Sequence, residues 1–298
     1  MLRAFLASLL AAGLLAGGSA SAADETYTIK LYKSKKGEKA DHEKNEESKN
    51  NVVINVMGQT MKQEMTGSKK EAYTEEILER KDGDKDKKAT KLTRTYTVAE
   101  KTEKGETTKA VYTGETVLIE KKGDKYEFTM KGKMLKEDEA PDLFKSFNKS
   151  DDEPQNEDFL PKDPVKVGES WKVPADKTEK MFKALGEEKM KIDAKKSTVG
   201  GKLLKAYKKD GAQFGTIELN LTLFVTGIDL GGGQFADTKA GSKMDLKATI
   251  DTCIDGTVEY EDGKMDVGID LTAELPNNGS VTISGTSKGV DKTRAAKK

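Results

Sequence analysis

The chain has 298 residues, of which 35% are charged, and its 52 basic and 52 acidic side chains leave no net charge. That balance argues against a nucleic-acid or anionic-membrane binder, because both surfaces attract proteins with an excess of basic residues. The single cysteine excludes an internal disulfide, and one histidine with one cysteine cannot supply a zinc site. We therefore expect no metal or other cofactor.

Residues 1–22 predict a cleaved export signal. Arg3 precedes an apolar run of about twelve residues, and a small-residue cleavage site ends just before Asp24. The run is too short to cross a bilayer core of about 30 Å, and no second long apolar run follows. No cysteine follows the run at a position for lipid attachment. We expect a soluble protein in the periplasm or outside the cell, with no transmembrane anchor.

The first half of the remaining chain predicts strands joined by short polar turns. The candidate strands are residues 27–32, 52–65, 72–80, 91–99, 110–120 and 126–133. Lys, Glu and Thr occupy many outward positions, which indicates a sheet with one face in solvent. Residues 33–50 carry mixed charge without an apolar period, so we expect a mobile loop that contains His42, the only histidine.

Two short helices are predicted between the halves of the chain. Residues 141–147 begin with a proline and place Leu143, Phe144 and Phe147 on one side. Residues 176–185 form a capping box, with Asp176 as the cap and Glu179 three positions later. A seam between two sheet regions is expected near residues 134–190.

The second half shows the clearest alternation of apolar and polar residues. In residues 216–225, apolar side chains at every second position predict a strand with one buried face. Residues 244–250, 265–273 and 281–283 repeat the pattern, and the pairs Asp210-Gly211, Asp262-Gly263 and Asn278-Gly279 predict hairpin turns. This half is predicted to be an antiparallel meander that ends in a frayed tail over residues 288–298.

No set of residues predicts catalysis. The Asp82, Asp84 and Asp86 run lacks the glycine and glutamate of a calcium loop and is interrupted by lysines. Residues 231–236 match G-x-G-x-x-A, but too few residues follow for the helix that would receive a pyrophosphate. Cys253 lies in an apolar strand and is interpreted as a small core residue. We therefore predict that the protein is not an enzyme.

Residues 160–171 form the most distinctive segment. Two prolines stiffen it, Gly168 permits a bend, and the only tryptophan follows. Trp171 is interpreted either as an anchor for the sheet or the next helix, or as an aromatic side chain that faces a ligand.

This segment resembles a signature of a family of uncharacterised exported bacterial β-proteins, Pro-Val-x-Val-Gly-Asp/Glu-Ser/Thr-Trp. The matching residues are Pro164, Val165, Val167, Gly168, Glu169, Ser170 and Trp171. The resemblance implies export and a β-rich fold, and it carries no activity. The order of strands and central helices is also similar, at the level of fold, to the half-barrel of lipoprotein carriers.

These observations predict one mainly β domain over residues 23–298. We expect an antiparallel meander that forms a large curved sheet or half-barrel, or two sheets, with one or two short helices on its concave side. The leading hypothesis is non-enzymatic binding of a lipid or other apolar ligand, or of an envelope protein, on that concave face. The residues expected to line it are Trp171, Ile217, Leu219, Leu221 and Leu223.

Two alternatives stay open. The first is a structural or interaction module that acts through sheet edges or its charged surface, and it requires a filled core and an uncovered edge strand. The second, less favoured, is a hydrolase, which requires a cleft where carboxylates with raised pKa values converge.

Overall fold

The computed structural model describes residues 25–80, 89–148, 156–186, 190–231, 234–276 and 278–296. The predicted export signal and the Asp82–Asp86 run lie outside the described residues.

The described chain is mainly β. Its first strands are β1 Thr26–Tyr27, β2 Lys39–Val56, β3 Gln59–Glu79, β4 Lys91–Glu103, β5 Glu106–Lys109, β6 Thr116–Lys122, β7 Lys125–Met130 and β8 Lys133–Met134. Helix α1 Pro141–Phe147, the 3-10 helix Asn156–Phe159, β9 Val165–Lys166, β10 Ser170–Lys172 and helix α2 Ala175–Gly186 follow. The last strands are β11 Met190–Ile192, β12 Thr198–Lys209, β13 Ala212–Asp229, β14 Phe235–Asp237, β15 Lys243–Cys253, β16 Tyr260–Leu275 and β17 Gly279–Ala295.

One antiparallel sheet contains fifteen of these strands. Its main order is β10-β12-β13-β15-β16-β17-β2-β3-β4-β6-β7-β8, with β11 and β14 also pairing with β13, and β5 with β4. Strands β10 and β8 stand at opposite ends of this order, so the sheet is not closed. Strands β1 and β9 form a separate pair. The predicted fold class, a large antiparallel sheet with short helices, is confirmed.

The two segments predicted to be mobile pair with each other. Strands β2 and β17 are antiparallel neighbours from Asn55 opposite Ser280 to Ala40 opposite Ala295. The prediction of a mobile loop is therefore wrong for residues 39–50, and that of a frayed tail is wrong for residues 288–295. Cross-strand pairing gives their charges partners: the Nζ atom of Lys44 lies 3.1 Å from Oδ2 of Asp291. This pairing also joins the two halves of the chain in one sheet.

One hairpin turn and both helices follow the sequence predictions. Asp210-Gly211, a predicted turn, has positive φ at both positions, as a two-residue hairpin turn of type I′ requires. Helix α1 has its predicted bounds, whereas α2 begins at Ala175, one residue before the predicted cap. Neither described helix is long and apolar enough to cross a membrane.

Two glycine positions differ from the predictions. Met57-Gly58 forms a further turn with positive φ and divides the predicted strand 52–65 between β2 and β3. Asp262-Gly263, predicted as a turn, lies within β16, where Gly263 pairs with Ile250 and with Asp291. Gly263 therefore lies in the interior of the sheet, with strand neighbours on both sides.

One side of the sheet, which we call the inner face, carries an apolar core at each end. At one end, Val117, Ile119 and Phe128 pack with Leu143 and Phe147 of α1. At the other end lie two clusters of β12 and β13: Leu203 and Ile217 in one, and Val199, Leu223 and the α2 side chains Met181 and Phe182 in the next. The middle of the inner face, formed by β15, β16, β17, β2 and β3, lies between these cores.

Candidate functional site

Strand register places apolar and charged side chains next to each other in the middle of the inner face. One row across five neighbouring strands reads Ile250, Gly263, Asp291, Lys44 and Glu71. The adjacent row reads Ala248, Met265, Gly289, Glu46 and Lys69. Each row therefore passes from apolar side chains, through a position without a side chain, to charged residues.

A cavity of about 310 Å³ lies over these rows, and we call it the glycine cavity. Its floor consists of Ala248, Ile250, Gly263, Met265 and Gly289, and its charged rim consists of Lys44, Glu46, Lys69, Glu71, Glu261 and Asp291.

The missing side chains create part of this space. A Cβ atom built on Gly263 would meet the main-chain oxygen of Asp291 at 3.6 Å and Cγ1 of Ile250 at 3.9 Å, which are ordinary van der Waals contacts. On Gly289 it would lie 3.3 Å from Cε of Met265, the flexible end of that side chain. Both positions therefore have room for a side chain, and the glycines leave the floor open.

The rim carries carboxylates that Lys44 compensates only in part. Lys44 contacts Oδ2 of Asp291, while Oδ1 of Asp291 is buried with no hydrogen-bond partner among the described residues. Burial raises the pKa of Glu261, the charge of Asp291 raises it further, and Lys44 opposes both. A bound group with positive or hydrogen-donating character would lower the cost of holding these two carboxylates near an apolar floor.

A second cavity of about 310 Å³, the aromatic cavity, adjoins the first beneath α1. The two share Lys44, Lys69 and Glu71 as lining residues. Lys69 connects the sheet to α1, because its Nζ lies 2.9 Å from Asp142 of the helix and 3.4 Å from Glu71. Burial would lower the pKa of Lys69, but these carboxylates raise it overall. The two cavities therefore lie side by side on the inner face, and we call them together the trough.

A buried arginine organises the aromatic cavity. Nε of Arg94 donates a hydrogen bond to Oε2 of Glu75 at 2.9 Å, and both side chains are 17% exposed. The guanidinium lies 4.4 Å from the ring centre of Tyr73 and 4.6 Å from that of Phe147 in α1. Burial would lower the pKa of Arg94, yet its neighbours, first Tyr73 and then Glu75, hold it above the usual range. We interpret Arg94 as an anchor for α1.

A row of rings continues from this anchor. His42 stacks on Tyr73 at 4.8 Å between ring centres, Tyr73 lies 5.1 Å from Tyr96, and Tyr96 lies 4.6 Å from Tyr112. Burial raises the pKa of Tyr96 to about 12 and lowers the pKa of His42. Near neutral pH these rings therefore carry no charge, and those of Tyr73, Tyr96 and Tyr112 line the aromatic cavity.

Three observations bear on the hydrolase hypothesis. Glu261 has the raised pKa that the hydrolase hypothesis requires, but Asp291, the carboxylate beside it, is engaged by Lys44. His42 directs Nδ1 to the hydroxyl of Thr293 at 3.0 Å. Within the described ranges, no three His, Cys, Asp or Glu side chains are grouped so that they could hold a metal ion.

The residues predicted from sequence to line a ligand site lie elsewhere on the inner face. Trp171, Ile217 and Leu219 belong to one apolar cluster with Leu203 and Ile254. Leu221 and Leu223 belong to the next cluster, which α2 covers. Ile217 and Leu223 are only 2% and 3% exposed, so both are core residues.

Trp171 is an anchor in this structure. Its Nε1 donates a hydrogen bond to the carbonyl of Phe159 at 2.8 Å. Strand β10 pairs Trp171 with Gly201, and a side chain on Gly201 would overlap the indole ring. Gly168, predicted as a bend, has φ of +86° and donates its N–H to Leu203 at 2.7 Å. The distinctive segment thus joins the sheet next to one core.

Sequence reasoning missed the residues that line the trough. The sequence predicts a turn at Gly263 and mobile segments around Lys44 and Asp291. The available signal was the apolar alternation through Ala248, Ile250 and Met265, which correctly marked their shared face. The sequence pattern does not show the register that places these residues beside Gly289 and Asp291.

No protein-family model matches this chain, and no curated protein matches it. Among solved structures, the chain is similar to the outer membrane channel from Pseudomonas putida F1, with 9% sequence identity over 89% of this chain and 98% of that chain. The TM-score is 0.23, and no conclusion about function follows from so distant a likeness. The resemblance carried by residues 164–171 stays a prediction.

Proposed function

We propose that this protein is a non-enzymatic binding protein whose glycine cavity holds a small molecule with an apolar body and a polar head. The observation that carries this proposal is the meeting of an apolar floor and a charged rim at Gly263 and Gly289. Ligand sites are typically apolar clefts with a few convergent polar groups, which is the composition of this cavity.

The cavity volume limits the ligand. About 310 Å³ lies at the lower end of the range for small-molecule sites. The ligand's apolar part would rest on Ala248, Ile250 and Met265, and its head would face Glu261 and Asp291. A short acyl or alkyl chain, or a small ring system, fits these limits.

The export signal predicted over residues 1–22 places this binding outside the cytosol. In that setting the protein would carry or retain an apolar molecule that water dissolves poorly. The proposal keeps the hypothesis of an apolar ligand on the inner face and moves the site from the filled core around Ile217 to the middle of the sheet.

Filling the cavity tests the proposal. Gly263→Leu places an apolar side chain over the floor, and Gly268→Leu, on the opposite face of the same strand β16, is the matched control. A Cβ atom on Gly268 meets nothing within 4 Å. Both variants should fold, because neither glycine has a positive φ.

The probe is the fluorescent amine N-phenyl-1-naphthylamine, which brightens when it enters an apolar site. We expect wild type and Gly268→Leu to bind it alike, and Gly263→Leu to bind at least about tenfold more weakly, a difference of about 1.4 kcal/mol. Equal binding by all three folded proteins would refute the proposed site.

A further inference from the structure

One stretch of strand edge has no partner in the described part of the chain. Strand β3 pairs with β2 from Gln59 onward, but it pairs with β4 only from Gly67. The boundary is sharp, because the carbonyl of Thr66 accepts the N–H of Lys104, at the turn after β4, at 3.4 Å. Residues 59–65 therefore form an unpaired strand edge, which we call the free edge. The space beside it, beyond the end of β4, is called the notch.

The main-chain groups that face the notch follow from the hairpin. Met57-Gly58 is a two-residue turn, so Val56 and Gln59 form its closing hydrogen-bonded pair. Because bonding direction alternates along a strand, Thr60, Lys62 and Glu64 direct their N–H and C=O groups into the notch. The carbonyl of Thr66, two residues further on, points the same way.

Exposed methionines recur along this stretch at a spacing of four residues. Met57, Met61 and Met65 are 79%, 59% and 43% exposed. Met61 and Met65 lie on the inner face, opposite Ile54 and Asn50 of β2. Large apolar side chains on an open edge are a liability for a protein that acts alone, and natural edges are usually protected.

We propose that two copies of this chain pair through the free edge, antiparallel about Met61. In this register Met61 faces Met61 of the second copy, and Met57 faces Met65 of the second copy. Thr60 of each copy faces Lys62 of the other copy. Both residues direct their N–H and C=O groups outward, as hydrogen-bonded antiparallel pairs require. The spacing of the methionines is symmetric about Met61, so one two-fold axis aligns all of them.

The length of the free edge and its charges favour this register over registers centred on Gln63 or Lys62. With Met61 at the axis, the turn Met57-Gly58 reaches residues 65 and 64 of the second copy and stops before Thr66. An axis at Gln63 would pair Lys62 with Glu64, but it would bring Gly58 to Ser68, where Thr102 of β4 already pairs. An axis at Lys62 would set two lysines against each other, which is destabilising.

The proposed pairing is self-limiting. A two-fold interface uses the same surface on both copies, so pairing occupies both free edges and closes at a dimer. It is also independent of the glycine cavity.

Cysteine cross-linking tests the register. Directly opposed residues of a non-hydrogen-bonded pair have Cα atoms about 4.5 Å apart, within disulfide range. We expect Met61→Cys to form a disulfide-linked dimer under mild oxidation. The control Gln63→Cys should stay monomeric on denaturing gels, because in this register the two residues 63 lie about 13 Å apart. The native Cys253 is buried and serves as the background in wild type.

Proline at the edge tests whether the dimer depends on it. Lys62→Pro removes an N–H that points into the notch and leaves the bonds to β2 intact. Sedimentation velocity should show a concentration-dependent dimer for wild type and a monomer for Lys62→Pro, with unchanged circular dichroism and probe binding. A monomeric wild type at high micromolar concentration, or cross-linking of Gln63→Cys equal to that of Met61→Cys, would overturn the proposal.

Discussion

Thr293 of β17 lies directly opposite His42 of β2, and Oγ1 of Thr293 is 3.0 Å from Nδ1 of His42. The two residues are separated by most of the sequence, yet their contact lies in the strand pair that joins the two halves of the sheet. Burial lowers the pKa of His42, so the ring is neutral near neutral pH and stacks on Tyr73. Two segments rich in charge thus form the centre of the fold.

Hydrogen exchange should show that this centre is ordered. We expect the amides of residues 40–50 and 284–295 to exchange slowly, at rates comparable with those of β13, because each segment has strand neighbours on both sides. Mass spectrometry of peptic fragments after deuterium labelling measures this. Exchange of these fragments at the rate of an unfolded peptide would show that β2 and β17 do not pair.

Gly201→Ala should displace the only tryptophan. A side chain at residue 201 overlaps the Trp171 ring, so we expect the indole to move and unfolding free energy to fall by about 1–3 kcal/mol. Urea unfolding followed by fluorescence reports both effects, since Trp171 is the only indole. Gly211→Ala is not a suitable control because its φ is +82°, whereas Gly268→Ala is extended and open. An unshifted emission spectrum in Gly201→Ala would contradict the packing.

Glu75→Gln should destabilise the protein by about 3 kcal/mol, because it leaves the mostly buried Arg94 without its carboxylate. The matched control is Glu115→Gln, which breaks the ion pair of Glu115 with Lys131, a residue 68% exposed. That change should cost less than about 1 kcal/mol. Urea unfolding of both variants gives the comparison, and equal losses would show that Arg94 is not the anchor of α1.

Glu259 should make stability depend on pH. Burial, followed by the charges of Glu75 and Glu38, raises the pKa of Glu259 from 4.5 to about 7. The folded protein therefore holds this proton more tightly than the unfolded chain, so the stabilisation is complete below about pH 4.5 and is lost as pH rises through about 7. After allowance for partial exposure, the effect is about 1–2 kcal/mol.

Removing the Glu259 carboxyl should abolish that dependence. We expect Glu259→Gln to be more stable than wild type at pH 8 and equal to it at pH 4, with Glu106→Gln, at an exposed strand position, as the control. Urea midpoints at the two pH values measure this. A wild-type advantage at pH 8 would mean that the carboxylate is stabilised, and not opposed, by its surroundings.

The fold was predictable where one face of a strand is buried and the other is exposed to solvent. Apolar side chains at every second position identified β13, β15 and β16, and proline and a run of apolar residues identified α1. In β2 and β17 both faces carry polar residues over much of their length, so apolar residues do not recur at every second position. Their order depends on long-range pairing, such as Lys44 with Asp291, which no local pattern encodes.

The candidate site was less predictable because it depends on register. The alternation indicates that Ile217 and Leu223 share one face of β13, but their cover by Trp171 and α2 depends on tertiary packing. The glycine cavity depends on small residues meeting side by side: Gly263 and Gly289 lie on different strands, and Asp262-Gly263 has the composition of a turn. A missing side chain leaves no periodic signal.

Native mass spectrometry of the protein purified from the cells that make it tests the central claim most directly. The wild-type protein and Gly268→Leu are expected to carry a small molecule that collisional activation releases, and Gly263→Leu, purified in parallel, is expected to have the mass of the protein alone. A bare wild-type protein, or the same bound molecule on Gly263→Leu, would contradict a ligand site over Ala248, Ile250 and Met265.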